Sequence, residues 1–316
     1  MNDVILETIE RKSVQYHYSN DLKMLLQKVI GAMVSYYGQE YIPQILKVIE
    51  YYPITICQYD ENIYTKLKEF GHINEEEEFE IVREGDLKRA NGVASSNPII
   101  KYENGQYVLE GFSSCIILSS TFDINHKTSV AILVHELSHA LKSIDKNYQL
   151  HGNLLTTRSG ISTETFELSN QQGQVTMKCI NACSVGLEEG INSFDEEQIM
   201  CQMYHEPYET SSYLILRKIS EIMFQKEGFL QMIRDAQING NIYSFFQQYN
   251  EISGENAWEL FSKLSDKLVT LFYQSIQYLF EPEKLEEVIR QEGEYLPQIQ
   301  ECLDSYRSQL QETNQK

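Results

Sequence analysis

Ser129-Val130-Ala131-Ile132-Leu133-Val134-His135-Glu136-Leu137-Ser138-His139-Ala140-Leu141-Lys142 is an apolar segment at helical spacing into which two histidines and a glutamate are set. Four residues along an α-helix turn about 400°, so His135 and His139 project from one face, about one turn apart, and their ring nitrogens can hold a single metal ion. Glu136 lies beside that face, where a carboxylate can take a proton from water that the ion has made acidic. The flanking residues read as buried, and burying two imidazoles and a carboxylate without partners is costly. A metal ion supplies those partners.

Two histidines leave a zinc ion under-coordinated, because catalytic sites use three protein ligands and keep one position open. The stretch Cys183-Ser184-Val185-Gly186-Leu187-Glu188-Glu189-Gly190-Ile191-Asn192-Ser193-Phe194 reads as a second helix that supplies the third. Glu189 is the candidate and Glu188 the fallback, since one of two adjacent carboxylates must face the ion and spacing does not fix the helix phase. A carboxylate accepting the free ring N–H of a ligand histidine is also expected. Asp195, Glu196 and Glu197 are available for it, unless they form an exposed acidic face.

A chain of 316 residues that is 42% hydrophobic and 11% aromatic can build a full core. With 26 basic against 46 acidic residues and a formal charge of −20, bulk electrostatics disfavour nucleic acid and anionic membranes as partners. The run Glu75-Glu76-Glu77-Glu78 reads as a solvated loop or helix face. Met1 to Glu7 has neither a basic nor an apolar leader region, and no apolar run reaches a bilayer span, which points to the cytoplasm unless export is signal-independent. The six cysteines form no C-x-x-C pair and no disulfide framework. Cys179 and Cys183 would share a helix face.

From Asn20 to about Ile49 the apolar spacing predicts two helices, broken near Gly38 and Pro43. Pro53 to Tyr59 reads as a strand and Glu61 to Phe70 as a short helix ended by Gly71. The tyrosines of this region read as core and rim packing. Glu103-Asn104-Gly105 between alternating apolar residues predicts a hairpin of Pro98–Tyr102 with Gln106–Leu109, followed by a further strand, Ser114–Ser119. Asn153–Arg158 and Thr163–Leu168 read as two strands around Ser159-Gly160. From Tyr208 onward the pattern is almost wholly helical, with Pro282, Gly293 and Pro297 punctuating the end, and the lone Trp258 lies on an apolar stripe. The fold expected is α+β and mainly helical. Its parts are an N-terminal α/β module over residues 1–94, a metal-binding core with a small mixed or antiparallel sheet over 95–225, and a helical region over 226–316, the last two separate or continuous.

H-E-x-x-H on an apolar helix, a strand pair after it, and then Gly186-Leu187-Glu188-Glu189-Gly190 on a second helix resemble the glutamate-zincin (gluzincin) metallopeptidases, whose third ligand is a glutamate in a segment like L-N-E-G. More loosely, the chain looks like zincin-like proteins of low-GC Gram-positive bacteria, in which a tyrosine-led helix follows the E-G segment as Tyr208-Glu209-Thr210-Ser211-Ser212-Tyr213 does. The resemblance spans roughly Ser114 to Met223 and departs from the family at Glu188, where asparagine is usual, and in the longer gap from His139 to Glu189. It selects Glu189 and implies a zincin-like catalytic domain that hydrolyses peptide bonds in a peptide or protein substrate, with one Zn2+ per chain held by His135, His139 and Glu189, and with Glu136 as general base. It also implies a tyrosine or histidine that stabilises the oxyanion, for which Tyr208 is the candidate with Tyr213 and His205 as alternatives. An extended substrate would add to a sheet edge at Ser114–Ser119 or Asn153–Arg158, and His126 and His151 would line the cleft. His17 and His72 are given no role. The alternatives are a catalytically idle zincin-like binding or regulatory protein, a toxin-type protease acting on a host protein, and a metal-dependent hydrolase of non-peptide bonds.

Overall fold

Asn104 and Gly105 turn the chain with φ of 53° and 82°, the pair of left-handed conformations that a tight two-residue hairpin needs and that asparagine and glycine tolerate best. They join β2 (Gly92–Glu103) to β3 (Gln106–Leu118), which pair antiparallel from Glu103↔Gln106 to Gly92↔Leu118. The computed structural model describes residues 2–73, 87–171, 174–210, 213–240, 242–278 and 281–313; Glu75 to Glu78 lie outside them. The expected hairpin arm and the expected strand at Ser114–Ser119 are therefore one strand. Three-residue β1 (Ile54–Ile56) pairs parallel with β3, giving the order β1-β3-β2.

The fold is α+β and mainly helical, with two small sheets. The chain divides into two compact units of interleaved segments. The first comprises Met1–Asp145, Ser169–Thr176 and Asp195–Thr210. It contains α1 (Asn2–Tyr16), α2 (Asn20–Tyr37), α3 (Ile42–Tyr51), α4 (Ile63–Glu69), the first sheet and α5 (Lys127–Lys142). Helix α1 was not read from the sequence, because its buried side includes Thr8, Lys12 and Ser13 beside Ile5 and Ile9 and so lacks a clear apolar stripe. Helix α2 is capped by Ser19, whose hydroxyl accepts from Leu22 N at 3.2 Å, satisfying one of the unpaired N–H groups of its first turn. The expected boundary between residues 94 and 95 falls inside β2.

The second unit comprises Lys146–Leu168, Met177–Phe194 and Ser211–Lys316. Its core gathers Leu187 and Ile191 with α7 (Leu214–Met223), α8 (Phe229–Asn239), α9 (Tyr243–Ser253), α10 (Ala257–Gln277) and α11 (Pro282–Thr313). Tyr249 stacks nearly parallel on Phe261 and on Tyr306, and Trp258 is buried, as the apolar stripe implied. Helix α11 starts at Pro282, where a missing N–H costs nothing, and continues through Gly293 and Pro297 rather than stopping there. Beyond Pro297 it buries Ile299, Leu303 and Tyr306, and that burial outweighs the one lost backbone bond.

A second sheet has the order β4-β5-β6-β7, formed by β4 (Ser143–His151), β5 (Leu154–Ser159), β6 (Ser162–Gln171) and β7 (Gln174–Cys183). Only β5 and β6 were anticipated. Cys179 and Cys183 lie on strand β7, not on a helix, and all six cysteines are free. Both strands expected as substrate-binding edges are interior: β3 lies between β1 and β2, and β5 between β4 and β6. Among the described residues, no helix is long and apolar enough to cross a membrane.

Candidate metal centre

One side of helix α5, with Val130, Leu133, Val134, Leu137, Ala140 and Leu141, is apolar, and each of these is at most 2% exposed. The polar side of α5 is enclosed as well, with Ser129 at 9% and Ser138 at 0% exposure. The histidines and Glu136 are carried into that enclosure: His135 is 7% and Glu136 9% exposed, and His139 is half-buried. Ring nitrogens Nε2 of His135 and His139 stand 3.1 Å apart. Two metal–nitrogen bonds of about 2.0–2.1 Å meeting at a tetrahedral angle place their nitrogens roughly 3.3 Å apart, so the spacing fits one zinc-sized ion.

The third group comes from α6 (Val185–Tyr204). Ligand atoms of His135, His139 and Glu189 all lie within 4.8 Å of one another, and the chemistry of that donor set, two imidazoles and a carboxylate, is that of a three-ligand zinc site. Glu188 points elsewhere. It is 2% exposed and accepts from Ile161 N at 2.8 Å and from Gln237 Nε2 at 2.9 Å. One residue along a helix is a turn of about 100°, which separates a structural carboxylate from a candidate ligand.

The glycines of Gly186-Leu187-Glu188-Glu189-Gly190 have packing roles. A Cβ on Gly186 would lie 2.2 Å from Ser265 O, and one on Gly190 would lie 2.5 Å from Leu216 O, so this end of α6 meets α10 and α7 backbone to backbone. Its amino end is capped from a distance. Asp266 accepts from Ser184 N and Gly186 N, each at 2.9 Å, a carboxylate at the positive end of a helix. Burial pushes the Asp266 carboxyl up, and the backbone N–H groups oppose that shift.

Of the three acidic residues expected behind the histidines, Glu196 reaches one: its Oε2 lies 3.1 Å from His135 Nδ1. That contact leaves Nε2 of the same ring for a metal. Glu197 instead accepts from Thr210 N at 3.4 Å. Asp195 accepts from Tyr36 at 2.7 Å and from Tyr37 and Lys142 at 2.8 Å each. None of the three is an exposed acidic face, since all are at most 6% exposed.

Tyr208 belongs not to a helix but to the irregular segment after α6, Ser211 and Ser212 lie outside the described residues, and α7 begins at Leu214. The segment folds back along α6, with Tyr208 N donating to Cys201 Sγ at 3.3 Å. Burial, reinforced by the charges of Glu196 and Glu197, drives the pKa of the Tyr208 hydroxyl well up. Tyr213 pairs with the Tyr273 hydroxyl at 2.8 Å, and His205 is exposed at the end of α6 with φ of 54°. His126 and His151 are exposed, before α5 and at the end of β4. His72 is buried between strand hydroxyls, Ser95 at 2.8 Å on Nδ1 and Ser113 at 2.9 Å on Nε2, and so serves the first sheet.

Sequence reading missed Lys142, Tyr36, Tyr37, Asp266 and Gly92. A lysine in an otherwise apolar helix was a visible signal for the first. Nothing in the pattern marked Gly92, whose absent Cβ would lie 2.6 Å from Ile132 Cγ2 and 3.2 Å from Glu136 Oε1. The chain matches no protein-family model, no curated protein and no solved structure.

Proposed function

We propose that the chain is a zincin-like, zinc-dependent hydrolase of peptide bonds, with His135, His139 and Glu189 as the ligands and Glu136 as the general base. The observation that carries this reading is the gathering of those three ligand groups within 4.8 Å, with Glu136 one position from His135. A bound zinc ion would make water acidic near neutral pH and polarise a carbonyl. Glu136 takes a proton from the attacking water and returns it to the leaving amine, two transfers that one carboxylate can make at hydrogen-bond range. Glu196 holds the Nδ1 side of His135 and so fixes Nε2 as the ring nitrogen that would coordinate.

Tyr208, whose hydroxyl stands in the field of the Glu196 and Glu197 carboxylates, is the candidate oxyanion donor. The outer strand β2 begins at Gly92, against Glu136. It replaces β3 and β5 as the strand on which an extended substrate would lie, held by main-chain hydrogen bonds.

Metal analysis of the purified chain beside His139→Ala and Glu136→Gln tests the centre: about one zinc per chain in the parent, loss in the first variant, retention in the second. A peptide-library digest of parent against Glu136→Gln tests the activity. Cleavage no greater than that control with every peptide would favour the catalytically idle reading.

A further inference from the structure

Helix α6 carries an unusual set of buried polar side chains, among them Glu188, Asn192, Ser193, Asp195 and Glu196, all at most 4% exposed. Its apolar residues fall on two sides: Leu187, Ile191 and Phe194 recur at i, i+4 and i+7, whereas Ile199 and Met203 lie on a side rotated by more than 100°. A helix with one apolar stripe finds its rotation by burying that stripe. In α6 the first stripe stops at Phe194, just before Asp195, so polar contacts help to set the phase of the rest of the helix.

Seven residues along an α-helix fall about 20° short of two full turns. Glu189 and Glu196 therefore share one side, the histidine side, and Glu188 and Asp195 share another, rotated by about 100°. Asp195 is wholly buried and so is Lys142, whose Nζ reaches Asp195 Oδ2 at 2.8 Å. Tyr37 donates to the same oxygen at 2.8 Å, and Tyr36 donates to Oδ1 at 2.7 Å. Lys142 stands three residues beyond His139 on α5, and Ser138 Oγ lies 3.4 Å from the Tyr37 hydroxyl while donating to Val134 O at 3.0 Å.

We propose that Asp195, clamped by Lys142, Tyr36 and Tyr37, is a positioning residue that sets the rotation of α6, so that Glu196 meets His135 and Glu189 enters the metal centre. A buried ion pair is a poor source of stability, because desolvation offsets most of the attraction, and its best-attested use is to fix orientation or register. Two phenols and an ammonium converging on two carboxylate oxygens fix direction as an apolar contact does not. The inference rests on the reading of His135, His139 and Glu189 as ligands, and it identifies what aims them.

The test measures zinc affinity by competition with a chelator, and the absorption spectrum of the cobalt-loaded chain, for the parent, Asp195→Asn and the double variant Tyr36→Phe/Tyr37→Phe. A control, Leu303→Ala, lowers stability from the second core without touching the clamp. The clamp variants are expected to lose roughly 10–100-fold in zinc affinity and to change the cobalt spectrum, as for other groups that orient a ligand. The control is expected to keep both while its melting temperature falls. Folded clamp variants with parental affinity and spectrum would overturn the proposal, as would a control that loses affinity to the same degree. The double tyrosine variant keeps the ion pair and the aromatic packing, and decides the matter if Asp195→Asn does not fold. A parent chain that binds no zinc or cobalt would instead overturn the metal reading itself.

Discussion

Glu188 and Glu189 are adjacent in the chain and do unrelated work. Glu188 closes a buried junction with Ile161 N and Gln237, whereas Glu189 stands with His135 and His139. Replacing each separately is expected to separate the two roles. Glu188→Ala strands a buried N–H and a buried amide, a loss of about 1–3 kcal/mol for each unsatisfied group, and should lower the melting temperature of the metal-free chain. Glu189→Ala should leave that temperature near the parent's and abolish tight zinc binding. Zinc bound by Glu189→Ala at parental affinity would remove it from the ligand set.

Glu196 accepts from His135 Nδ1 at 3.1 Å. Glu196→Gln retains the shape and weakens the bond, so zinc affinity should fall roughly 10–100-fold, less than in Glu189→Ala. Chelator competition at fixed pH reads the difference, and equal losses in the two variants would argue against separate ligand and supporting roles.

Gly92 allows β2 to lie against Glu136. The added methyl of Gly92→Ala would meet Ile132 Cγ2 at 2.6 Å and Glu136 Cγ at 3.0 Å, and a misplaced catalytic group can cost roughly 100-fold in rate. Peptide cleavage by Gly92→Ala should therefore drop by about 10–100-fold with zinc content unchanged. A variant cleaving at the parental rate would show that Glu136 tolerates displacement.

Alkaline pH should unfold the chain through its buried tyrosines. Burial raises Tyr18 from 10.0 to about 12, and burial beside Asp195 raises Tyr37 well above its ordinary value. A raised folded-state pKa means that the stability is fully present below the unfolded value, near 10, and is lost as pH climbs through the folded one. Circular dichroism should hold to about pH 10 and then fail toward 12 and above, with tyrosinate absorbance rising in step with the loss of structure. Unfolding complete below pH 9 would contradict this.

The histidine pair was readable in the sequence because helix geometry dictates spacing. Two imidazoles four residues apart on an apolar helix have one shared direction, and the tight turn at Asn104-Gly105 has nearly one conformation. Strand β7 was not legible, since its residues are exposed or half-buried and carry little alternation. The edge strand was misplaced for a related reason: strand order depends on partners, and β1, only three residues long, is enough to make β3 interior.

By itself the sequence determined that His135 and His139 share a helix face with Glu136 beside it, that the fold is α+β and mainly helical, and that the aromatic stripes are core. Local periodicity and turn chemistry act within a few residues, so they survive in a linear reading. Only the tertiary structure gave Glu188 its partners Ile161 N and Gln237, chose Glu196 from three neighbouring acids, and brought Tyr36 and Tyr37 to Asp195 across about 160 positions. Those choices depend on the rotation of one helix, α6. Partners distant in sequence set that rotation.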